Sequence, residues 1–308
     1  MKRPYKQGTR GWRDERGNVT VLLALAMTMM MGFVAIAIDG GLALLERSQL
    51  QKAVDAAALA GAFELPERRD GALNEARRAA LLNGLTAAET NVEISADGRE
   101  IKVTGTRKVS FFFAPALGIA DADVRAQGKA RLSPLSSGIR AVPLGVDYTG
   151  PLAFGTQVTL KVGSGGSGSF GALVLSGTGA SDYENDLRSG YPVELSAGAV
   201  LSTQTGNIAG PTKRAVDARI AACPTSTYLN FSWDCPRAVT VPMYQAVVSD
   251  QNQVKQVKVV GFATFFLESV SSINTGAEVT GRFIARTASG GGNDSAPNFN
   301  TFGVRLVK

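Results

Sequence analysis

The chain of 308 residues has no histidine, two cysteines and two tryptophans. The lack of histidine removes the Ser-His-Asp and Cys-His relays and every His-ligated metal site. Two cysteines make neither a Cys₄ zinc site nor an iron–sulfur cluster. Net positive charge is also scarce over most of the length. The net charge is +6, but residues 1–16 hold Lys2, Arg3, Lys6, Arg10, Arg13 and Arg16 against Asp14 and Glu15. The remainder is close to neutral and carries no basic stripe interleaved with aromatics, so no nucleic-acid partner is expected. Apolar side chains are abundant, at 44%, together with 35 glycines and 12 prolines. That balance fits a folded chain of about two domains, rich in strand and turn.

The basic cluster stands directly before a long apolar run. Val19 to Ile38 reads VTVLLALAMTMMMGFVAIAI, with no charge and only Thr20 and Thr28 polar. As an α-helix this run spans about 30 Å, the hydrocarbon thickness of a bilayer. A cleaved signal would have a shorter apolar run and, soon after it, a small-x-small site. Here Asp39, Gly40 and Gly41 come next instead, and a helical pattern continues. The sequence therefore predicts an uncleaved, single-pass anchor in the cytoplasmic membrane. Arg10, Arg13 and Arg16 directly before the span place the N-terminus in the cytoplasm and the rest of the chain outside it.

Leu42 to Leu65 continues as an amphipathic helix. Leu42, Leu45, Leu50, Val54, Ala58, Gly61 and Leu65 fall on one stripe, and Arg47, Gln51 and Asp55 on another. Small side chains at Ala57, Ala58, Gly61 and Ala62 would allow a second helix to approach closely. That helix is either the chain's own next one or a partner's. Pro66 ends the first helix, and Asp70 is expected to cap a second one reaching about Ala88. The period then changes to two. Asn91–Ser95 and Arg99–Val109 flank an Asp97-Gly98 turn, Phe111-Phe112-Phe113 opens an apolar segment ending at Gly118-Ile119, and Val124–Leu132 reads as a third strand.

From about Ser133 the chain is Gly-rich and strand-patterned, with almost no helix signal. Val158, Leu160 and Val162 alternate with polar residues, as do Val239, Val241 and Met243, and Gln256–Leu267 forms a long alternating run. The fold class is thus α+β: a single transmembrane helix, a small helix/strand unit, then a mainly-β, sandwich-like domain. The expected boundaries are 1–18, 19–38, 39–132 and 133–308. Within the last part, Gly163–Gly171 lacks the Gly-Lys-Ser/Thr of a phosphate loop and reads as a turn. Asp182, Glu184 and Asp186 alternate without the glycine and terminal glutamate of an EF-hand, and read as a solvated loop. Cys223 and Cys235 fall in the extracytoplasmic part, where an oxidising compartment favours a disulfide between them.

The order of these features resembles a known family. Arg16-Gly17 precedes the span, Ile38-Asp39-Gly40-Gly41 closes it, and Leu50-Gln51-Lys52-Ala53-Val54-Asp55-Ala56-Ala57-Ala58-Leu59-Ala60-Gly61-Ala62 comes after. This is similar to the N-terminal region of TadE/TadG-like proteins of Flp (tight adherence) pilus assembly. The resemblance implies a pilin-like membrane protein that works with other pilin-like or secretion-platform proteins, without catalysis, cofactor or metal. The chain departs from the prepilin pattern in one respect. The fifth residue after Gly17 is Leu22, and no carboxylate lies between Asn18 and Ile38, which favours a retained basic N-terminus. A second class stays open: a membrane-anchored ligand-binding module or a carboxylate-based hydrolase unconnected with pili, since two carboxylates hydrolyse glycosides without histidine.

Overall fold

A computed structural model describes residues 16–148, 152, 154–162, 171–204, 208–250, 253–273 and 276–307. The chain divides into two units, residues 1–51 with 106–126 and residues 52–105 with 127–308. Helix α1 (Arg16–Ala62) runs without interruption through the apolar span and its amphipathic continuation. Gly40 and Gly41 lie within it, where neither breaks the helix. Helix α2 (Arg69–Leu82) is shorter than the sequence predicts. Asp70 sits in its first turn, where it suits the helix dipole, and Arg68 occupies the N-cap position. The helix stops at Asn83, and Gly84 beyond it lies in the left-handed region at φ +82°.

Strands β1 (Thr90–Ile94) and β2 (Glu100–Ser110) form the expected antiparallel hairpin, with Val92 opposite Val103 and Ile94 opposite Ile101. Gly98 takes φ +68° at its turn. A short 3₁₀ helix (Ala114–Leu117) separates β2 from β3 (Asp121–Pro134). Strands β4 (Ser137–Gly138), β5 (Val146–Asp147), β6 (Gln157–Val162), β7 (Leu195–Ser196) and β8 (Val200–Ser202) are short. Strands β9 (Ala238–Asp250), β10 (Gln253–Ile273) and β11 (Gly276–Ile284) are long, and β12 (Arg286–Thr287) and β13 (Thr301–Val307) close the chain.

One sheet has the order β1-β2-β3-β13-β12, and a second has β5-β9-β10-β11-β6 with β8 also on β10. In the first, β13 lies antiparallel to β3, with Phe302 opposite Pro134 and Leu306 opposite Ala130. The expected boundary at 132/133 therefore falls inside β3, and the last strand of the chain belongs to the same sheet as the first hairpin.

The large core lies on the second sheet. Val239, Val241 and Met243 of β9 and Ala263, Phe265 and Leu267 of β10 are buried there. Burial does not follow the alternation read from the sequence: Val241–Tyr244 and Gly261–Leu267 are buried at every position, with Phe262 and Phe266 packing into smaller clusters away from the large core. The α+β class holds, but among the described residues the C-terminal part carries two helices where the sequence pattern suggests almost none. Helix α3 (Ala180–Ser189) places Tyr183 and Leu187, four apart, in that core, and α4 (Ala209–Ala222) adds Ala215 and Val216. The acidic run expected as a loop is α3 itself. Asp186 is buried, accepting the Ser176 backbone N–H at 2.9 Å and its hydroxyl at 2.7 Å. The helix forms because Tyr183, Asp186 and Leu187 share one face, a spacing masked by the alternating carboxylates.

Candidate functional site

Among the described residues one helix is long and apolar enough to cross a membrane, starting at Val19 with a mean hydropathy of 2.5. Leu22, Met31, Phe33 and Ile36 stand exposed around it. A helix apolar on every face and buried on none has no protein core to serve. Thr28 returns its hydroxyl to the Ala24 carbonyl at 2.8 Å, which removes a bare polar group from the span. Arg16 opens the helix; Arg10 and Arg13 lie outside the described residues.

Asp39 closes the apolar run, and its role is structural and specific. The side chain is buried. Its carboxylate accepts three consecutive backbone N–H groups: Phe112 at 2.9 Å, Phe113 at 3.0 Å and Ala114 at 2.7 Å. Ala114 opens the 3₁₀ helix and the other two donors come directly before it, so Asp39 holds the entry to an element 75 residues further along the chain. Glu46, two turns along the same face of α1, pairs with Arg107 of β2 at 3.4 Å. From the sequence, Asp39 reads only as the end of the span. The signal available was a lone carboxylate at that end together with an apolar segment rich in unsatisfied N–H groups.

The small-residue face sits further along α1. Ala57, Ala58, Gly61 and Ala62 are all buried. A Cβ built on Gly61 would lie 2.5 Å from Ile101 Cδ1, 2.8 Å from the Ala72 carbonyl oxygen and 2.9 Å from Ala76 Cβ. The close approach at Gly61 is thus made by α2 and β2 of the same chain. A second close approach occurs at Gly128 of β3, where a Cβ would lie 2.6 Å from the Val54 carbonyl oxygen. Only glycine fits either place without displacing backbone.

Cys223 and Cys235 are joined in a disulfide with Cα atoms 6.0 Å apart. Arg237 braces the loop they close, donating from Nη1 to the Ser226 carbonyl at 2.7 Å and from Nε to the Leu267 carbonyl at 2.8 Å. Two cavities lie beside this loop. One, of about 230 Å³, is walled by Phe63, Phe154, Tyr228, Phe231 and Trp233 around Arg286. The Arg286 guanidinium carbon is 4.2 Å from the Trp233 ring centroid, and Nη2 also donates to the Trp233 carbonyl. Burial and the neighbouring Arg68 charge lower its pKa to about 10. The other cavity, of about 690 Å³, shares Trp233 and Arg286 and adds Arg140, Arg188 and Arg219 with Asp234. Those arginines are scattered along the sequence on four segments, which left no local motif to find.

No curated protein and no solved structure matches the chain. The apolar helix, Asp39 and the small-residue face do fall within one matched stretch. Residues 17–64 of this chain match the family model "Putative Flp pilus-assembly TadE/G-like".

Proposed function

We propose that this protein is a membrane-anchored, pilin-like structural or assembly protein of a Flp-type adhesive pilus, without catalytic chemistry. The observation that carries this reading is the placement of the family match. It covers the exposed apolar helix, its closing Asp39 and the small-residue continuation, in that order. The N-terminus stays in the cytoplasm, the single span lies in the cytoplasmic membrane, and residues 39–308 are extracytoplasmic. The basic cluster before Val19 supports that orientation. Partners are other pilin-like subunits or proteins of the secretion platform. The face at Gly61 meets the chain's own Ala72, Ala76 and Ile101, which supports docking of those partners elsewhere on the chain. Deletion of the gene tests the assignment. The expected result is loss or reduction of surface fibres and of attachment, restored by the gene in trans. Normal fibre number, length and attachment in the deletion strain would overturn it.

A further inference from the structure

We infer that the loop between β2 and β3 is a second membrane contact, dipping into the lipid interface beside the exit of the span. The stretch Phe111–Ala120, FFFAPALGIA, contains no charged or polar side chain. None of its ten residues is buried. Phe112 is 75% exposed and Leu117 80%, with Phe113 and Ile119 also exposed. A soluble surface rarely presents so contiguous an apolar patch unless it meets something apolar.

Continuity with the span names what it meets. Asp39 comes directly after Ile38, the last residue of the apolar run, and Asp39 holds the start of the loop through three hydrogen bonds. The loop is therefore fixed at the depth where the helix leaves the hydrocarbon. Charge resumes immediately on both sides, at Lys108 and Asp121, which pair at 3.2 Å. An apolar tip bounded by a charge pair is the pattern of a segment seated at an interface.

The backbone also meets the requirement of an apolar medium, where unsatisfied N–H groups are costly. Asp39 takes those of Phe112, Phe113 and Ala114. The loop's own carbonyls take four more: Phe111 donates to Ala120, Ala116 to Phe113, Gly118 to Pro115 and Ile119 to Ala114. Pro115 has no N–H. Gly118, at φ +85°, makes the closing turn.

This inference rests on the membrane-anchor reading, and depth-resolved quenching separates the two. The full chain is reconstituted in phosphatidylethanolamine/phosphatidylglycerol vesicles with a single NBD label at Leu117→Cys, at Ile119→Cys or, within the span, at Met29→Cys. Doxyl lipids carry the quencher either near the headgroup or deep in the acyl chain. The labels at 117 and 119 should show blue-shifted emission and lose most intensity to the shallow quencher, while the label at 29 loses most to the deep one. Quenching at 29 without quenching at 117 and 119 overturns the second contact and leaves the anchor standing. No quenching at any of the three overturns both.

A separate observation carries a second inference. Arg219 is 8% exposed and, among the described residues, sets its charge against carbonyl oxygens, with Nε on Leu187 and Nη1 on Pro236, both at 2.6 Å. Burying a cation without a counter-charge is costly. Burial and the neighbouring Arg140 charge lower its pKa to about 10. Arg140 is exposed and held at φ +60°, in a close approach to Gly190 that fixes its backbone. The geometry points to the 690 Å³ cavity, where Asp234 stands beside Arg140, Arg188, Arg219 and Arg286, as a binding site for a compact oxyanion, a carboxylate or a phosphate group, that adds negative charge against the excess of arginines.

Trp233 lines this cavity and is one of two tryptophans in the chain, so Trp12→Phe leaves it as the only indole. In that background, in detergent, titration with inorganic phosphate and with glucuronate should give a saturable change in Trp233 emission for at least one. The stronger of the two identifies the group. Arg140→Ala should weaken that binding by about tenfold, the loss of one charge-assisted hydrogen bond. A response to both probes no larger than that to chloride, or binding unchanged in Arg140→Ala, overturns the site.

Discussion

The Asp39 carboxylate accepts the Ala114 backbone N–H at 2.7 Å, tying the end of the apolar helix to a 3₁₀ turn 75 residues away. Each hydrogen bond to an ionised group contributes roughly 1.5–3 kcal/mol net. Asp39→Ala removes the acceptor for three N–H groups at once; because all three share one carboxylate and water replaces it in part, their contributions do not sum in full, and the loop's opening free energy should fall by about 3 kcal/mol. Hydrogen exchange reads this directly, with protection of the Phe112, Phe113 and Ala114 amides falling by about 100-fold. Asp39→Asn keeps one acceptor oxygen and should fall between. Unchanged protection in Asp39→Ala would mean that the cap contributes nothing.

Gly61 and Gly40 lie in the same helix and should respond oppositely to alanine. A Cβ at Gly61 meets Ile101, the Ala72 carbonyl and Ala76 at 2.5–2.9 Å, whereas a Cβ at Gly40 meets nothing within 4 Å. Gly61→Ala should destabilise by about 1–3 kcal/mol through overpacking, and Gly61→Leu by more. Gly40→Ala should be neutral or stabilise by up to about 1 kcal/mol, because alanine favours helix. Thermal unfolding of the detergent-solubilised chain and its steady-state abundance give both signs. A stable, abundant Gly61→Leu chain that still fails to build fibres would make this face an assembly contact.

The Cys223–Cys235 bridge closes a loop with a sequence separation of 12. In the chain-entropy model a loop of that size stabilises by about 3 kcal/mol. The double variant Cys223→Ser/Cys235→Ser should therefore lower the Tm by roughly 6–12 °C for a unit of this size. An equal Tm with and without reductant would show that the bridge adds no stability.

Much of the fold was legible because its patterns are local. The apolar span needed only composition, and β9 and β10 declared themselves by alternation of Val239, Val241, Met243, Phe262 and Phe266. The illegible parts depend on partners distant in sequence. Helix α3 was hidden because its face is set by Tyr183 and Leu187 packing into a core shared with α4, where Tyr183 meets Thr212, while Asp182, Glu184 and Asp186 suggest a loop. Strand β13 could be read as a strand, but not as the neighbour of β3. The Asp39 cap joins two apolar segments that each looked complete alone. The four arginines converge only through tertiary structure.

Tyr244 provides a pH test with a defined sign. Burial, and then the Asp147 charge, push its phenol up to about 12, above the ordinary value near 10. The buried Tyr183 phenol is raised further. Above pH 10 the unfolded chain releases these protons while the native chain retains them, so stability is fully present below pH 10 and is lost as pH rises toward 12. Chemical denaturation across that window should show a falling midpoint. Tyr244→Phe should flatten the fall, since phenylalanine has no proton to lose. An equally steep fall in the variant would mean that other groups set the alkaline limit.

Topology is the prediction on which the membrane reading turns. Six Lys/Arg precede Val19, and after Asp39 the first charges are Glu46 and Arg47, which balance. Basic residues resist transfer across the membrane, so this asymmetry should keep the N-terminus inside. A periplasm-active phosphatase fused after Lys308 should be active, and a reporter that works only in the cytoplasm should be silent at the same point. Reversing the cluster tests the cause. With Arg10, Arg13 and Arg16 changed to glutamate, a measurable fraction of chains should insert with the opposite orientation and the phosphatase signal should fall. An inactive phosphatase paired with an active cytoplasmic reporter in the unaltered chain would place residues 39–308 inside the cell. The disulfide would then stand in a reducing compartment, and a role on the outer face of the membrane would be lost.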